Sequence, residues 1–277
     1  MSPPTLQVFI GSGEASLIER KVLEYSIHKH CGPNVQVHVY NGTHDTIEWA
    51  DGRCERVNTP LKIKYANVTE FSNFRWFIPR LCQHQGRALY VDSDMICFSD
   101  LADLASINMQ GAALMAKPSA YEEDALKATW GLSMALMDCA LCRFEPELWF
   151  EEIEQGAFSI QELHRLGSAF QARHPVELIS LPDGWNVFDH YDPATCHLIH
   201  YTQLGTQPWK FVGHPFGDIW FQYLREAMQA GFITNEMIQR QIMRGYVRVD
   251  LLQGNFTRKI DRLALLARNQ IKVLLNR

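Results

Sequence analysis

The stretch Arg87-Ala-Leu-Tyr-Val-Asp-Ser-Asp-Met-Ile-Cys-Phe98 has the pattern of a buried strand that ends on acid. Gly86 breaks the chain before it, Leu89, Tyr90 and Val91 form an apolar run, and Asp92 and Asp94 follow with Ser93 between them. Open α/β sheets bind their ligands at the carboxyl edge of the strands, so this strand delivers two hard oxygen donors to that edge. One aspartate there serves a turn as readily as a ligand. Two at this spacing point to a divalent cation that carboxylates share with substrate phosphates, water completing the shell.

Upstream, residues 6–10 read as a first buried strand, followed by Gly11-Ser12-Gly13 and a helix from about Ser16. Ser16 and Glu19 have capping-box spacing, and Leu17, Ile18, Val22, Tyr25 and Ile27 give the helix an apolar stripe. Gly32-Pro33 stops it, and the alternation of Val35, Val37 and Val39 predicts a second strand. Gly-x-Gly without a third glycine is a weak dinucleotide fingerprint. It fits a tight strand-to-helix turn, or a turn whose small residues let a base or ribose approach the backbone. Residues 41–70 are turn-rich and predict a long loop with one short strand. Residues 71–82 predict an aromatic-rich helix under the Asp-x-Asp strand. Arg75, set among Phe71, Phe74, Trp76 and Phe77, needs an anionic partner if it points inward, whereas Arg80 suits a solvated surface.

Downstream, Ser99 is placed to cap a short helix over 100–106, and strands are predicted at 111–116, 132–138 and 177–181. Amphipathic helices are predicted at 146–154 and 159–166, the second with a Ser159…Glu162 capping box. Residues 183–188 read as a turn with exposed aromatics. A strand over 196–201 ends on His200, followed by the donor-rich run Thr202-Gln-Leu-Gly-Thr-Gln-Pro-Trp-Lys210. Helices are predicted at 218–230, 234–244 and 250–275. Alternating strands and helices without a repeat or low-complexity linker give one α/β domain with a mixed sheet, here residues 1–250. Residues 251–277 form a separate basic amphipathic helix: 258–277 holds six Lys/Arg against Asp261. Such a helix either lies on an anionic membrane face or packs back with a solvated basic side.

Composition narrows the class. With 277 residues, 47% hydrophobic and 21% charged, the chain is an ordinary globular one. A net charge of −5 argues against a general nucleic-acid binder, which carries a basic stripe. Met1-Ser-Pro-Pro-Thr5 runs straight into the first strand, with no basic start and no apolar segment of signal length. Seven cysteines scattered through apolar segments fit a reducing compartment. Cys139-x-x-Cys142 lacks the second pair that a zinc site needs. The expected location is cytoplasmic, with peripheral contact at the inner face of a membrane through 258–277.

Two strand ends, at Asp92/Asp94 and at His200, converge on one metal if both reach the same sheet edge. The spaced set of Val-Phe-Ile-Gly11, Phe-x-x-Phe-Arg75 before Leu-Tyr-Val-Asp92-Ser-Asp94, and His200-Tyr…Gly205…Pro208-Trp209-Lys210 resembles glycosyltransferase family 8 over residues 6 to about 212. The resemblance implies a GT-A (nucleotide-diphospho-sugar transferase) fold: a single Rossmann-like domain with a mixed central sheet and a helical C-terminus. It implies a retaining hexosyltransferase that takes a UDP-sugar, uses Mn²⁺ (Mg²⁺ is the alternative), and acts on a glycan, lipid or small-molecule acceptor. By position, Asp92, Asp94 and His200 resemble the metal ligands. Ile10 and Ser12 fall where the family contacts uracil and ribose, and Arg75 where an arginine contacts the donor and serves catalysis. Gly11, Ser93, Trp209 and Lys210 complete the donor set, with Ser133 of Gly131-Leu-Ser133 lining the donor sugar. Gln161 is similar to the glutamine near the anomeric carbon. Trp185, Asn186 and Asp189 are acceptor-side candidates.

The chain departs from the pattern in two places. Ile160 stands where an acid precedes the glutamine. The final loop is one residue longer than His-x-x-Gly-x-x-Lys-Pro-Trp and has Gln207 in the lysine position, leaving either Lys210 or no side chain for the phosphates. The resemblance implies front-face attack, in which the departing phosphate accepts the acceptor's proton; no covalent nucleophile is nominated. These departures also suit a catalytically degenerate nucleotide-sugar-binding protein. Haloacid-dehalogenase-like phosphatases place Asp-x-Asp after an apolar strand too, but near the chain start and followed by Thr or Val, not Met95.

Overall fold

The alternating and continuous apolar runs become strands in a computed structural model that describes residues 4–57, 69–119 and 129–252. In chain order the strands are β1 (Leu6–Ser12), β2 (Val35–Asn41), β3 (Thr46–Glu48), β4 (Cys54–Arg56), β5 (Arg87–Asp92), β6 (Met95–Cys97), β7 (Leu114–Pro118), β8 (Trp130–Asp138), β9 (Leu178–Ser180), β10 (Val187–Phe188) and β11 (Leu198–His200). The helices are α1 (Leu17–His30), α2 (Ile78–Leu81), α3 (Pro146–Glu154), α4 (Ile160–Arg165), α5 (Ser168–Gln171), α6 (Gly217–Gln229) and α7 (Asn235–Met243). They fall into two compact units, each drawn from three separate segments.

The first unit comprises Met1–Glu14, Cys31–Ser93 and Ser99–Asn186. It holds an eight-stranded mixed sheet in the order β4-β3-β2-β1-β5-β8-β7-β9. β1 pairs parallel with both β2 and β5, while β8 runs antiparallel to β5 and β7. Successive residues of β1 and β5 are buried, so both faces of these strands are covered, which is why they read as nearly unbroken apolar runs. Phe9, Tyr90, Phe74, Trp76, Trp149 and Phe170 are fully or almost fully buried in its core. Fully burying one such ring is worth roughly 1.5–3 kcal/mol.

The second unit comprises Ala15–His30, Asp94–Phe98 and Val187–Arg277. Its small sheet has the order β10-β11-β6, and α1, α6 and α7 supply helix faces. Ile18, Val22, Ile96, Ile199, Trp209 and Trp220 meet in its core. Lys29 Nζ lies 2.7 Å from Glu226 Oε2, tying α1 to α6.

Several local expectations are corrected. The 41–70 stretch contains two short strands among its described residues, paired as the hairpin β3–β4. The aromatic segment is a 3₁₀ turn, Phe74–Phe77, running into the one-turn α2; Pro79 suits such a start. Asp100, not Ser99, caps the Leu101–Ser106 turn, accepting from the Ala102 amide. Ser159 caps α4 by accepting from the Glu162 amide, but the Glu162 carboxylate accepts from Ala169 and Phe170 at the start of α5 instead of closing a reciprocal box. Trp185, expected to be exposed, is buried. The helix predicted over 250–275 begins on a turn at 251–252, and the rest of it, with the basic face of 258–277, lies outside the described residues. No described helix is long and apolar enough to cross a membrane.

Candidate functional site

β1 and β5 lie side by side in parallel register, with Ile10 opposite Val91 and Gly11 opposite Asp92. Their carboxyl ends therefore share one edge, and Ile10, Gly11 and Ser12 stand beside the first carboxylate. Gly11 is required there: a Cβ would sit 2.5 Å from Tyr90 Oη and 2.7 Å from Phe71 Cδ2. β8 reaches the same edge, since Met134 pairs with Val91 and Ser133 comes next toward it.

Asp92 is held from below. Tyr90 Oη donates to Asp92 Oδ1 at 2.6 Å, and Arg75 Nη2 lies 3.7 Å from the same oxygen. Arg75 is buried, as an inward-pointing arginine with an anionic partner would be. Its Nε donates to the Ser72 carbonyl at 2.8 Å, Nη1 donates to the Leu132 carbonyl, and the guanidinium lies 4.4 Å from the Tyr90 ring centroid. A planar fork with fixed donors suits this buried, many-partner role better than lysine. Burial and the Asp92 charge hold the Tyr90 hydroxyl well above its ordinary pKa, so it remains a donor. Arg80, by contrast, makes an exposed bidentate pair with Glu147, worth little to stability.

In the second unit, β6 and β11 pair antiparallel with Met95 opposite His200. That register sets Asp94, just before Met95, against Tyr201, just after His200, and the Tyr201 amide donates to the Asp94 carbonyl at 3.0 Å. His200 Nε2 lies 3.0 Å from Asp94 Oδ1. The two atoms are not aligned as a hydrogen bond, and Oδ1 is buried without a hydrogen-bond partner among the described residues. Across the Asp92-Ser93-Asp94 run, one ligand atom from each of Asp92, Asp94 and His200 lies within 4.8 Å of the others. A buried carboxylate oxygen that accepts no hydrogen bond among the described residues, next to an imidazole nitrogen and a second carboxylate, fits a divalent-cation ligand set. Ser93 between them is buried.

Gln207, Trp209 and Lys210 lie on the loop after β11. Gln207 is buried, and its Nε2 donates to Asp94 Oδ2 at 3.2 Å and to the Tyr201 carbonyl at 3.0 Å. Trp209 packs against Tyr201 and Trp220 and is almost wholly buried, a core residue. Lys210 is half-buried. Its charge acts on Glu19 in the first turn of α1. Burial is the larger influence, raising the Glu19 carboxyl to about 7, with Lys210 opposing and Asp94 adding to the rise. Glu19 is 2% exposed, and its Oε2 has no hydrogen-bond partner among the described residues. Capping-box spacing alone gave no sign of this burial.

Arg248 fixes the same loop. Its Nε and Nη2 donate to Asp250 at 2.6 and 2.5 Å, and Nη1 donates to the Phe211 carbonyl at 3.0 Å. Its amide donates to the Trp209 carbonyl at 2.8 Å.

The remaining expected residues sit as follows. Gln161 is exposed on α4 and makes no hydrogen bond among the described residues. On that helix it is His164 that turns inward, its Nε2 donating to Asn73 Oδ1 at 2.8 Å; burial, aided by Arg75, depresses its pKa to about 4. Asn186 is fully buried, its Nδ2 donating to Ser133 Oγ at 3.2 Å while its carbonyl accepts from Lys117. Asp189 Oδ1 accepts from His214 Nε2 at 3.1 Å and from the Gln203 amide at 3.2 Å, and Oδ2 accepts from the Thr202 hydroxyl. Both oxygens thus pin the loop that follows His200.

Residues 24–152 match the profile of Glycosyl transferase family 8. That segment, which carries Arg75, Asp92 and Asp94, is similar to glycosyltransferase family 8. Protein CDI of Arabidopsis thaliana is 29% identical over 182 residues, covering 57% of this chain and 65% of that protein. This chain therefore spans just under two thirds of that curated relative. Among solved structures, the galactosyltransferase LgtC in complex with donor and acceptor sugar analogs superposes with a TM-score of 0.60 at 11% identity, covering 87% of this chain and all of that one. The glycosyltransferase GlyE of Streptococcus pneumoniae TIGR4 superposes with a TM-score of 0.58 at 14% identity, covering 88% of this chain and 64% of its own. The shared architecture is the GT-A fold.

Proposed function

We propose that the protein is a metal-dependent retaining hexosyltransferase that takes a UDP-sugar and delivers the sugar to a glycan, lipid or small-molecule acceptor. The observation that carries this reading is the Asp92/Asp94/His200 cluster, in which Asp94 Oδ1 faces the imidazole and accepts no hydrogen bond among the described residues. Mn²⁺ is the proposed ion. When bound, it supplies positive charge against the diphosphate leaving group. The chain's own part is orientation. Ile10, Gly11 and Ser12 line the edge where small or flat side chains admit a base and ribose. Arg75 and Tyr90 hold Asp92 in place, and Lys210 adds a cation for phosphate oxygens. Ser133 and Gln161 are proposed to face the donor sugar, and the acceptor side is assigned to the turn around Trp185, Asn186 and Asp189. Their burial limits this last role to shaping the wall through the backbone.

The test is release of UDP from a panel of UDP-hexoses with Mn²⁺, with and without acceptor sugars. Asp94→Ala is expected to abolish release. Equal release by the variant and the wild type would remove the catalytic assignment. Wild-type binding of UDP-sugar with no turnover on any acceptor would favour the degenerate binding protein, which the exposed Gln161 and the Ile160 before it support.

A further inference from the structure

We infer that Gln207 is a positioning residue that holds the metal-binding carboxylate of Asp94 with one oxygen turned to the cation. This rests on the metal site proposed above. The amide nitrogen of Gln207 faces Asp94 Oδ2 at 3.2 Å and the Tyr201 carbonyl at 3.0 Å. Both partners only accept, so chemistry alone fixes which end of the amide points there: the NH₂ group, with one hydrogen for each. The side chain is 3% exposed, so water does not compete for either bond.

The result is an asymmetric carboxylate. Oδ2 is occupied by the amide, and Oδ1, on the His200 side, is left buried and without a donor. An aspartate free to rotate would present either oxygen, or chelate through both. Here the amide selects the oxygen that faces the imidazole and spares the ligand set the entropy of ordering on binding. Neutrality matters as well. A glutamine orients Asp94 without opposing the cation. The loop that brings Gln207 there is itself fixed by Arg248 and by Asp189, so the amide arrives in a set position.

The test titrates Mn²⁺ into the full chain with UDP present and follows free Mn²⁺ by electron paramagnetic resonance, which needs no turnover. Gln207→Met keeps length and packing and removes both donors. Loss of an outer partner of a metal ligand costs about 10–100-fold in metal affinity, and a weakening of that order is expected, with circular dichroism unchanged. Gln207→Asn keeps the amide but falls one methylene short; it should weaken Mn²⁺ in the same direction, and it serves if the methionine variant does not fold. Wild-type binding with both variants unchanged would overturn the role of Gln207 and leave the metal site standing. A wild-type chain that takes up no Mn²⁺ overturns the metal reading and this inference together.

Discussion

Glu19 offers a sharp test of the site's electrostatics. Its carboxyl is 2% exposed, and burial, opposed by Lys210, raises its pKa to about 7 from an ordinary 4.5. The folded protein therefore holds this proton more tightly than the unfolded chain does. The stabilisation is fully present below the unfolded value of 4.5 and is lost as the pH rises through about 7. At about 1.4 kcal/mol for each tenfold change in proton affinity, the full effect is on the order of 3 kcal/mol. Glu19→Gln keeps the shape and removes the titration. Urea unfolding of wild type and variant, with EDTA present, should be compared at pH 5 and pH 8. The stability difference between them is expected to move by roughly 2–3 kcal/mol in the variant's favour across that range. Other titrating groups are common to both chains and cancel in the comparison. A difference that is the same at the two pH values would refute a buried, proton-holding carboxyl beside Lys210.

Arg248→Ala leaves Asp250 buried without its cation and frees the Phe211 carbonyl, so a loss of about 3–5 kcal/mol is expected in urea unfolding. Removing Asp250 as well should cost clearly less than the sum of the single losses, because the two share one interaction. Deletion of residues 258–277 is proposed to weaken cosedimentation with anionic liposomes while leaving UDP affinity unchanged; equal cosedimentation of the two chains would remove the membrane role.

The sequence was most legible where one physical pattern covered enough residues. Val35, Val37 and Val39 alternate, and Leu89, Tyr90 and Val91 fill a central strand, so both elements and the position of Asp92 at a sheet edge follow directly. Arg75 was legible as well, since an arginine among aromatics has to find an anion, and it finds Asp92. Several elements of three or four residues were not. β3, β4 and the Phe74–Phe77 turn are too short to show a period. Nor does local sequence say which polar side chains a tertiary fold will bury. Glu19 has the spacing of a cap and Asn186 that of an exposed turn, yet both are sealed from solvent. Gln207 reads as a departure from the family pattern, and only the register of β6 on β11 discloses why an amide suits that place.

The interleaving of the two units bears on how the protein is made. α1 and β6 are synthesised within the span of the first unit, but their partners β11 and α6 come after residue 197. Ile96 must therefore wait for about a hundred further residues to leave the ribosome, and Ile18 and Val22 for longer still, before these partners arrive, the circumstance in which nascent chains lean on chaperones. Asp94 likewise has no His200 imidazole beside it until residue 200 has been made. A translation product that stops short of His200 retains both aspartates of its signature and none of the closed ligand set.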